Sequence, residues 1–195
     1  MDLNIEWLKI KTNNVLPEKG KVLIAEPLLP DYIFSRSVVL LTDEIDNSHA
    51  GFILNNYSGM KVGDVMEDFD GMDFDLFIGG PVEHDVLHFI HNYGDFITNS
   101  QKVKGNLYVG GDYEDVLNLA KNGLLDPNKI RFFIGYSGWE NGQLKDELSE
   151  NSWLVADVNE DFIISEHSTM WKRSLGFVES RYNIWKNFPE DPAWN

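Results

Sequence analysis

The sequence predicts an α+β domain in which a mixed β-sheet is flanked by helices. Its 195 residues, 43% hydrophobic and 13% aromatic, suit one domain with a sizeable core. Strand-like and helix-like segments interleave without a strict βαβ alternation, which favours a mixed sheet over a doubly wound parallel one. The chain shows no linker, low-complexity tract or repeat, so residues 1–195 are predicted to form a single domain.

Eight segments have the composition of strands. Each is short, rich in β-branched or aromatic residues, and bounded by Gly, Pro, Asn or Asp. In chain order they are KVLIAEP, RSVVLLTD, AGFILNN, DLFIGG, VLHFIH, LYVGG, IRFFIGY and SWLVADV. The glycine pairs that end DLFIGG and LYVGG indicate tight turns, because neither belongs to a phosphate-binding motif.

Three segments are predicted to be helical. The clearest is DYEDVLNLAKNG, with Asp112 as its N-cap, an apolar face in the middle and Gly123 as a left-handed stop. A second helix is predicted to follow Asn141 as its N-cap, with Leu144 and Leu148 on one face. A third is predicted within STMWKRSLG.

The charge balance argues against direct contact with nucleic acid. Asp and Glu number 32 against 16 Lys and Arg, a formal net charge of -16. Such a surface repels phosphate, and the sequence has no basic helix or Arg/Lys cluster, so duplex DNA is not an expected partner.

Composition also limits location and covalent chemistry. The chain has no cysteine, which excludes disulfides and thiolate sites. The opening MDLNIEWLKIK carries acids where a signal peptide is basic, and no apolar run approaches the ~18 residues of a membrane span. A cytoplasmic protein without membrane contact is therefore expected.

Histidines and acids suggest a metal site that other features disfavour. In EHDVLHFIH, His84, His88 and His91 would share one face of a helix, but the segment follows Gly-Gly-Pro and has the composition of a strand. The acids of GDVMEDFDGMDFDLF lack the order of a calcium loop. We therefore expect no metal and no cofactor.

The stretch GYSGWENGQLKDEL, residues 135–148, is predicted to be a strand-to-helix corner. Gly135 and Gly138 would allow positive φ or close backbone approach. Trp139 should be buried with its indole N–H on an acceptor, and Gln143 should lie in the first helical turn with its amide free. Ser137 is disfavoured as a nucleophile, because a nucleophile elbow needs a small residue where Trp139 stands.

Six blocks of the sequence, taken in order, resemble one family. They are KVLIAEPLLPDYIFSRSVVLLT, AGFILNN, IGGPV, LYVGGD, FFIGYSGWENGQLKDEL with SWLVAD, and MWKRSLG. The chain resembles the AlgH-like family, also called YqgE, DUF179 or UPF0301, from Gly20 to about Gly176. Residues 1–19 form an extension outside this shared core. The family usually has alanine where Ser137 stands, which further disfavours a nucleophile there.

The resemblance implies a single α+β domain with a mixed, bifurcated β-sheet surrounded by helices. It implies little about function. The family name derives from a proposed role in transcriptional regulation, and no catalytic residue or cofactor is carried over.

Two functional hypotheses stay open. The first is a non-enzymatic binding or regulatory module that recognises a small molecule or a protein partner, with its oligomeric state undetermined. The second is a hydrolase or transferase of unrecognised type, with Glu26 or Glu147 as general base near Arg36.

Two interpretations of the corner stay open. In the first, all of its residues serve only to build the turn from strand to helix. In the second, its first helical turn faces a shallow pocket, shared with the Asn-Asn and Gly-Gly-Pro turns, that binds a small polar or anionic ligand. The candidate ligand-facing residues are Arg36, Asn55, Asn56, Gly80, Pro81, Trp139 and Gln143.

Overall fold

The computed structural model describes residues 12–189, and within them ten strands form one branched sheet. The strands are β1 (Val22–Ala25), β2 (Val38–Ile45), β3 (Ser48–Ile53), β4 (Tyr57–Lys61), β5 (Asp75–Ile78), β6 (Val82–His91), β7 (Gln101–Lys104), β8 (Leu107–Val109), β9 (Ile130–Trp139) and β10 (Trp153–Ala156). The helices are α1 (Tyr113–Lys121), α2 (Gln143–Ser149), α3 (Glu160–Ile163) and α4 (Met170–Ser174). Short 3-10 segments occur at Val62–Asp64, Glu67–Phe69 and Ser180–Asn187.

Strand β9 is the branch point of the sheet. The main path runs β10-β1-β2-β3-β9-β6-β8-β7, with β4 and β5 outside it. Residues 132–134 of β9 pair in parallel with β5, whereas residues 137–139 pair in antiparallel with β3. Two strands thus pair with successive parts of β9, which confirms the predicted mixed, bifurcated sheet within an α+β fold.

Alternation along the strands divides the buried side chains between two faces. Val22, Ile24 and Leu40 point toward α3 and α4 and form the C-terminal core. Leu23 and Val39 point to the other face and form the α2 core with seven further buried residues: Ala25, Leu41, Ile53, Trp139, Leu144, Trp153 and Val155. A third group, the α1 core, joins α1 to β5, β6 and β9 through side chains that include Val116, Leu117, Leu76, Phe89 and Phe132.

All eight predicted strands are confirmed, and β4 and β7 are additional. Those two are short, polar and largely exposed, so their sequences lack the apolar signal of the others. Helix α1 is confirmed with its ends: Asp112 Oδ1 accepts a hydrogen bond from the Glu114 N–H at 2.9 Å, and Gly123 has φ 67°.

Helix α2 is also confirmed, but Asn141 is not its N-cap. Gly142, with φ 83°, occupies that position. The Asn141 side chain instead donates to the carbonyl of Asp46 at 2.7 Å, which ties the corner to the turn between β2 and β3. The third predicted helix is α4.

The predicted N-terminal extension, residues 1–19, is described only from Thr12. The Asn13 side chain donates to the Val155 carbonyl at 2.6 Å and accepts from the Val155 N–H at 3.2 Å. This amide therefore pairs with the outer edge of β10 as a neighbouring strand would. None of the helices described between residues 12 and 189 is long and apolar enough to cross a membrane.

A buried cation links the branch point to the C-terminal helices. Arg131 of β9 is 6% exposed, and its guanidinium donates to the carbonyls of Leu54, Ile163, Ile164 and Ser165 at 2.6–3.2 Å. Burial lowers the pKa of Arg131 to about 10. With no carboxylate within ion-pair distance among the described residues, carbonyl dipoles compensate this charge.

Candidate functional site

The corner after β9 is organised by one carboxylate. Trp139 is 4% exposed, and its indole N–H donates to Glu147 Oε2 at 2.9 Å. Trp153 donates to the same oxygen at 2.7 Å, and the Gln143 amide donates to Oε1 at 2.9 Å. The prediction of a buried Trp139 with an acceptor is confirmed.

The prediction of a free amide on Gln143 is wrong. Besides its bond to Glu147, its carbonyl oxygen accepts from the Glu140 N–H at 3.0 Å. With Gly142 as N-cap there is no capping side chain, and Gln143 itself satisfies the backbone group that precedes the helix. Gln143 is nevertheless exposed, so it can contact a ligand from its outer face.

Close backbone packing explains most of the glycines here. Gly135 has φ 70°, as predicted, and a Cβ there would lie 2.6 Å from the carbonyl oxygen of Gly80. A Cβ on Gly80 would lie 2.4 Å from the Ser137 hydroxyl. Gly138 shows neither positive φ nor such an approach, so the expectation for it is wrong.

Ser137 builds the corner and is not available as a nucleophile. It is fully buried, and its hydroxyl donates to the carbonyl of Gly79 at 2.9 Å.

Asn55 and Arg36 are bound to the chain's own backbone. The Asn55 side chain accepts from the Val38 N–H at 2.8 Å and donates to the Arg36 carbonyl at 2.9 Å, which fixes the entry to β2. The Arg36 guanidinium stacks 4.6 Å from the ring centroid of Trp171. It also donates to the carbonyls of Phe188 and Pro189 at 2.8 and 2.6 Å.

The candidate residues fall into two groups. His49 of β3 pairs with Trp139, and Asn55 follows six residues later, a separation of ~20 Å at the rise of a strand. Gln143 lines a cavity of about 500 Å³ whose walls do not include Asn55. The single pocket expected for all the candidates is therefore wrong.

Arg36, Asn55 and Asn56 lie at one end of β3, while Trp139 and Gln143 lie at the other. Gly80 packs against Ser137 of β9, and Val82, just after Pro81, pairs with Tyr136. The Gly-Gly-Pro turn therefore adjoins the Trp139 end through β9.

A surface groove follows this end of β3 and β9, and we name it the Tyr136 groove. It consists of two adjoining cavities of about 500 and 240 Å³, and Asp43, Ala50 and Tyr136 line both. The larger cavity also has Ile45, Ser48, His49, Val82, Gly138, Trp139, Glu140 and Gln143. The smaller one has Thr42, Gly51, Phe52, Asn99, Gln101, Val109, Gly110 and Gly111.

The centre of the groove combines a carboxylate with an aromatic wall. Thr42 is inserted as a bulge in β2, since Leu41 pairs with Gly51 and Asp43 with the next residue, Ala50. The Tyr136 hydroxyl makes no hydrogen bond to any residue between 12 and 189. The groove thus presents two polar groups to a ligand, the Asp43 carboxylate and the Tyr136 hydroxyl, and the hydroxyl has no hydrogen-bond partner among these residues.

His88 supports this wall from the protein side. Its ring lies 5.9 Å from that of Tyr136 and 5.4 Å from that of Phe52, measured between centroids. Burial lowers the pKa of His88, which favours the neutral imidazole at physiological pH. The side chains that carry formal charge in the groove are acids, Asp43 and Glu140, so its field disfavours anions.

The catalytic constellation considered from the sequence is only partly assembled. Glu147 accepts three N–H donors in the α2 core, whereas Arg36 stacks on Trp171 of the C-terminal core. These two side chains therefore pack on opposite faces of the sheet. Glu26 and Arg36 are at the same end of the β1–β2 pair, because the preceding Ala25 N–H bonds to the carbonyl of Ser37.

The three histidines of EHDVLHFIH lie in β6, as the strand interpretation predicted. The His91 imidazole hydrogen bonds to the Gly110 carbonyl and the Tyr93 N–H, at 2.9 and 3.0 Å, while His88 faces Tyr136. Residues 12–189 contain no group of three or more metal-ligating side chains. That the chain functions without a metal stays a prediction.

The protein is thus an α+β domain with a branched sheet. Its candidate site lies along β9, in the groove beside the corner that Glu147 stabilises. The match to the AlgH-like DUF179 family model covers residues 22–183, and the chain belongs to this family. A UPF0301 protein of Chlorobaculum parvum is 41% identical over 196 residues, and one of Bacteroides fragilis is 37% identical over 197; both alignments cover all of each chain.

Two solved structures share the fold. The AlgH protein from Pseudomonas aeruginosa gives a TM-score of 0.69 at 24% identity, over 91% of this chain and 98% of that one. A protein from Corynebacterium diphtheriae gives 0.73 at 21% identity, over 96% of this chain and 100% of that one. At these identities the likeness concerns the fold alone.

Proposed function

We propose that the chain is a non-enzymatic binding module whose Tyr136 groove takes a small, neutral or cationic polar ligand. The observation that supports it is the convergence on one groove of residues from sequence-distant blocks that carry the family resemblance. Ala50, Gly51 and Phe52 come from AGFILNN, Val109 to Gly111 from LYVGGD, and Tyr136, Gly138 and Trp139 from the corner.

The chemistry of the groove favours this ligand class. Asp43 and Glu140 would accept from a donor or balance a positive charge, and the Tyr136 hydroxyl would donate or accept. The aromatic face of Tyr136 would cover an apolar or cationic part of the ligand. A regulatory role would be exerted through the bound ligand or through a protein partner. It would not need direct contact between this acidic surface and duplex DNA.

A ligand screen by thermal unfolding tests the proposal. Panels of metabolites and nucleotides are added to the wild-type protein and to the Asp43→Asn and Tyr136→Phe variants. A compound at about 100 times its Kd stabilises the folded state by about 2.7 kcal/mol, which raises the Tm by about 5–10 °C for a chain of this size. Both variants should lose most of that increase, because each removes one hydrogen-bonding group of the groove.

Tyr32→Phe is the matched control, since Tyr32 is fully exposed on another loop. It should leave the ligand-induced shift unchanged. A compound that stabilises the wild type and both groove variants equally binds elsewhere and contradicts the proposal. If the protein converts a bound compound into product, it is an enzyme, and the proposal of a non-enzymatic binding module is wrong.

A further inference from the structure

Another cavity, of about 700 Å³, lies on the other side of His49, between the N-terminal segment and α2. We name it the α2 cavity. Its walls include Val15, Leu16, Glu44, His49, Lys145 and Leu148. The segment from Thr12 to Glu18 forms one side, and it precedes the residues matched by the family model.

His49 is the unusual member of this wall. The residue is 9% exposed, yet neither ring nitrogen has a hydrogen-bond partner among the described residues. A buried polar group without a partner costs about 1–3 kcal/mol, so such groups in proteins normally have one, from the chain, from solvent or from a ligand.

Geometry shows which way the imidazole faces. Nε2 lies 3.9 Å from Glu44 Oε1, too far for a hydrogen bond between them. His49 lines both cavities, but Glu44 lines only the α2 cavity, so the Nε2 edge of the ring lies on the α2 cavity side. The nitrogen itself is covered, and a ligand in the cavity reaches it only when the neighbouring side chains shift. In the neutral ring with its proton on Nδ1, Nε2 is an acceptor beside an acceptor carboxylate.

Two neighbouring acceptors call for a donor with more than one N–H. We propose that the α2 cavity is a binding site for a small amine, whose protonated nitrogen donates to both His49 Nε2 and Glu44 while its apolar part packs on Val15, Leu16 and Leu148. An ammonium group has three donors and a positive charge, which fits this pair better than a hydroxyl or an anion. His49 also lines the Tyr136 groove, but Glu44 and Leu148 do not, so variants at Glu44 test this site separately from the groove.

The probe is n-butylammonium, with butyrate as a compound of similar size and opposite charge. Binding is followed by the ¹⁵N chemical shifts of the histidine rings at about pH 8, above the ordinary imidazole pKa of about 6.5. The chain has five histidines, and the His49→Phe variant identifies the His49 signals. Titration with n-butylammonium should shift the His49 Nε2 signal saturably, with a Kd on the order of 1 mM.

Glu44→Gln should weaken binding about ten-fold, because it removes the charge from one acceptor. Glu44 is exposed, so this variant is expected to fold even if His49→Phe does not. Glu18→Gln is the matched control: Glu18 lines the same cavity, but its carboxylate is already paired with Lys21 at 2.7 Å. It should change the Kd by less than about two-fold.

The proposal is overturned if n-butylammonium leaves the His49 signals in place, if butyrate shifts them equally, or if Glu44→Gln binds as the wild type does. Failure of the Tyr136 groove variants in the thermal screen would leave these titrations unaffected, so the two proposals fail separately.

Discussion

Replacement of Glu147 should show how much of the corner's stability depends on one carboxylate. Its Oε2 accepts the indole N–H groups of Trp139 and Trp153, which are 4% and 2% exposed. Glu147→Leu would leave two buried donors without their acceptor, at about 1–3 kcal/mol each. The expected loss is therefore about 2–6 kcal/mol, a large share of the 5–15 kcal/mol typical of folded proteins.

Glu147→Gln provides the comparison that isolates the acceptor from the side chain's size. Its amide oxygen has two lone pairs and can accept both indole donors, while its NH₂ group would oppose the exposed amide of Gln143. We expect a loss of about 1 kcal/mol for this variant. Urea denaturation followed by tryptophan fluorescence measures both values, with the slope of free energy against urea checked for constancy.

Glu150→Leu is the control for loss of an acid from the same helix. Glu150 is exposed at the C-cap of α2 and makes no side-chain hydrogen bond or ion pair with residues 12–189. Its replacement should stay within about 0.5 kcal/mol of the wild type. If Glu147→Leu also stays within that range, the two indole N–H groups have other acceptors. The hydrogen bonds to Glu147 are then not what stabilises the corner.

Three further outcomes are expected. Trp139→Ala should destabilise the fold by about 3–5 kcal/mol, whereas Gln143→Ala should cost only about 0.5–1 kcal/mol because its two hydrogen bonds are exposed; equal losses in urea denaturation would contradict this. Burial lowers the pKa of His91 below its ordinary 6.5, so the unfolded chain takes up the proton first. The contribution of His91 to stability is complete above about pH 6.5 and is lost as the pH falls through the folded pKa. His91→Gln should therefore reduce the slope of the free energy of unfolding against pH in this range. If the slope is unchanged, other groups cause it. The purified protein should not bind duplex DNA sequence-selectively at physiological ionic strength, and a salt-dependent, selective complex in a gel-shift assay would refute the charge argument.

Local composition was enough to predict eight of the ten strands and three of the four helices between residues 12 and 189; it missed β4, β7 and α3, which are short. The eight apolar segments and Asp112 carry signals that act within a few residues, and the structure has them where they were predicted. The branch at β9 is different, because it depends on β3 and β5 pairing with successive parts of one strand. The pairing of β9 with these two strands joins segments that are distant in sequence, and only the family resemblance predicted the branched sheet.

The site was harder to predict, for the same reason. Nothing in the sequence places Asn55 and Gln143 at opposite ends of β3, or shows that Asn55 is occupied by Val38 and Arg36. Gly142 and not Asn141 is the N-cap of α2, because the Asn141 side chain bonds to the carbonyl of Asp46, which is distant in sequence. Arg131 did leave a signal that was missed, a lone cation inside the apolar strand IRFFIGY.

The two proposed sites differ in what can alter them. The Tyr136 groove is built within residues 22–183, from strands whose backbones approach so closely that a Cβ on Gly51 would lie 2.1 Å from the Leu40 carbonyl oxygen. Substitutions there act on the sheet itself. The α2 cavity has a wall outside those residues, where Val15 and Leu16 are exposed and the segment is held to the edge of β10 by Asn13. Changes in that segment can therefore reshape the amine site without disturbing the sheet, whereas His49, on the shared wall, affects both cavities.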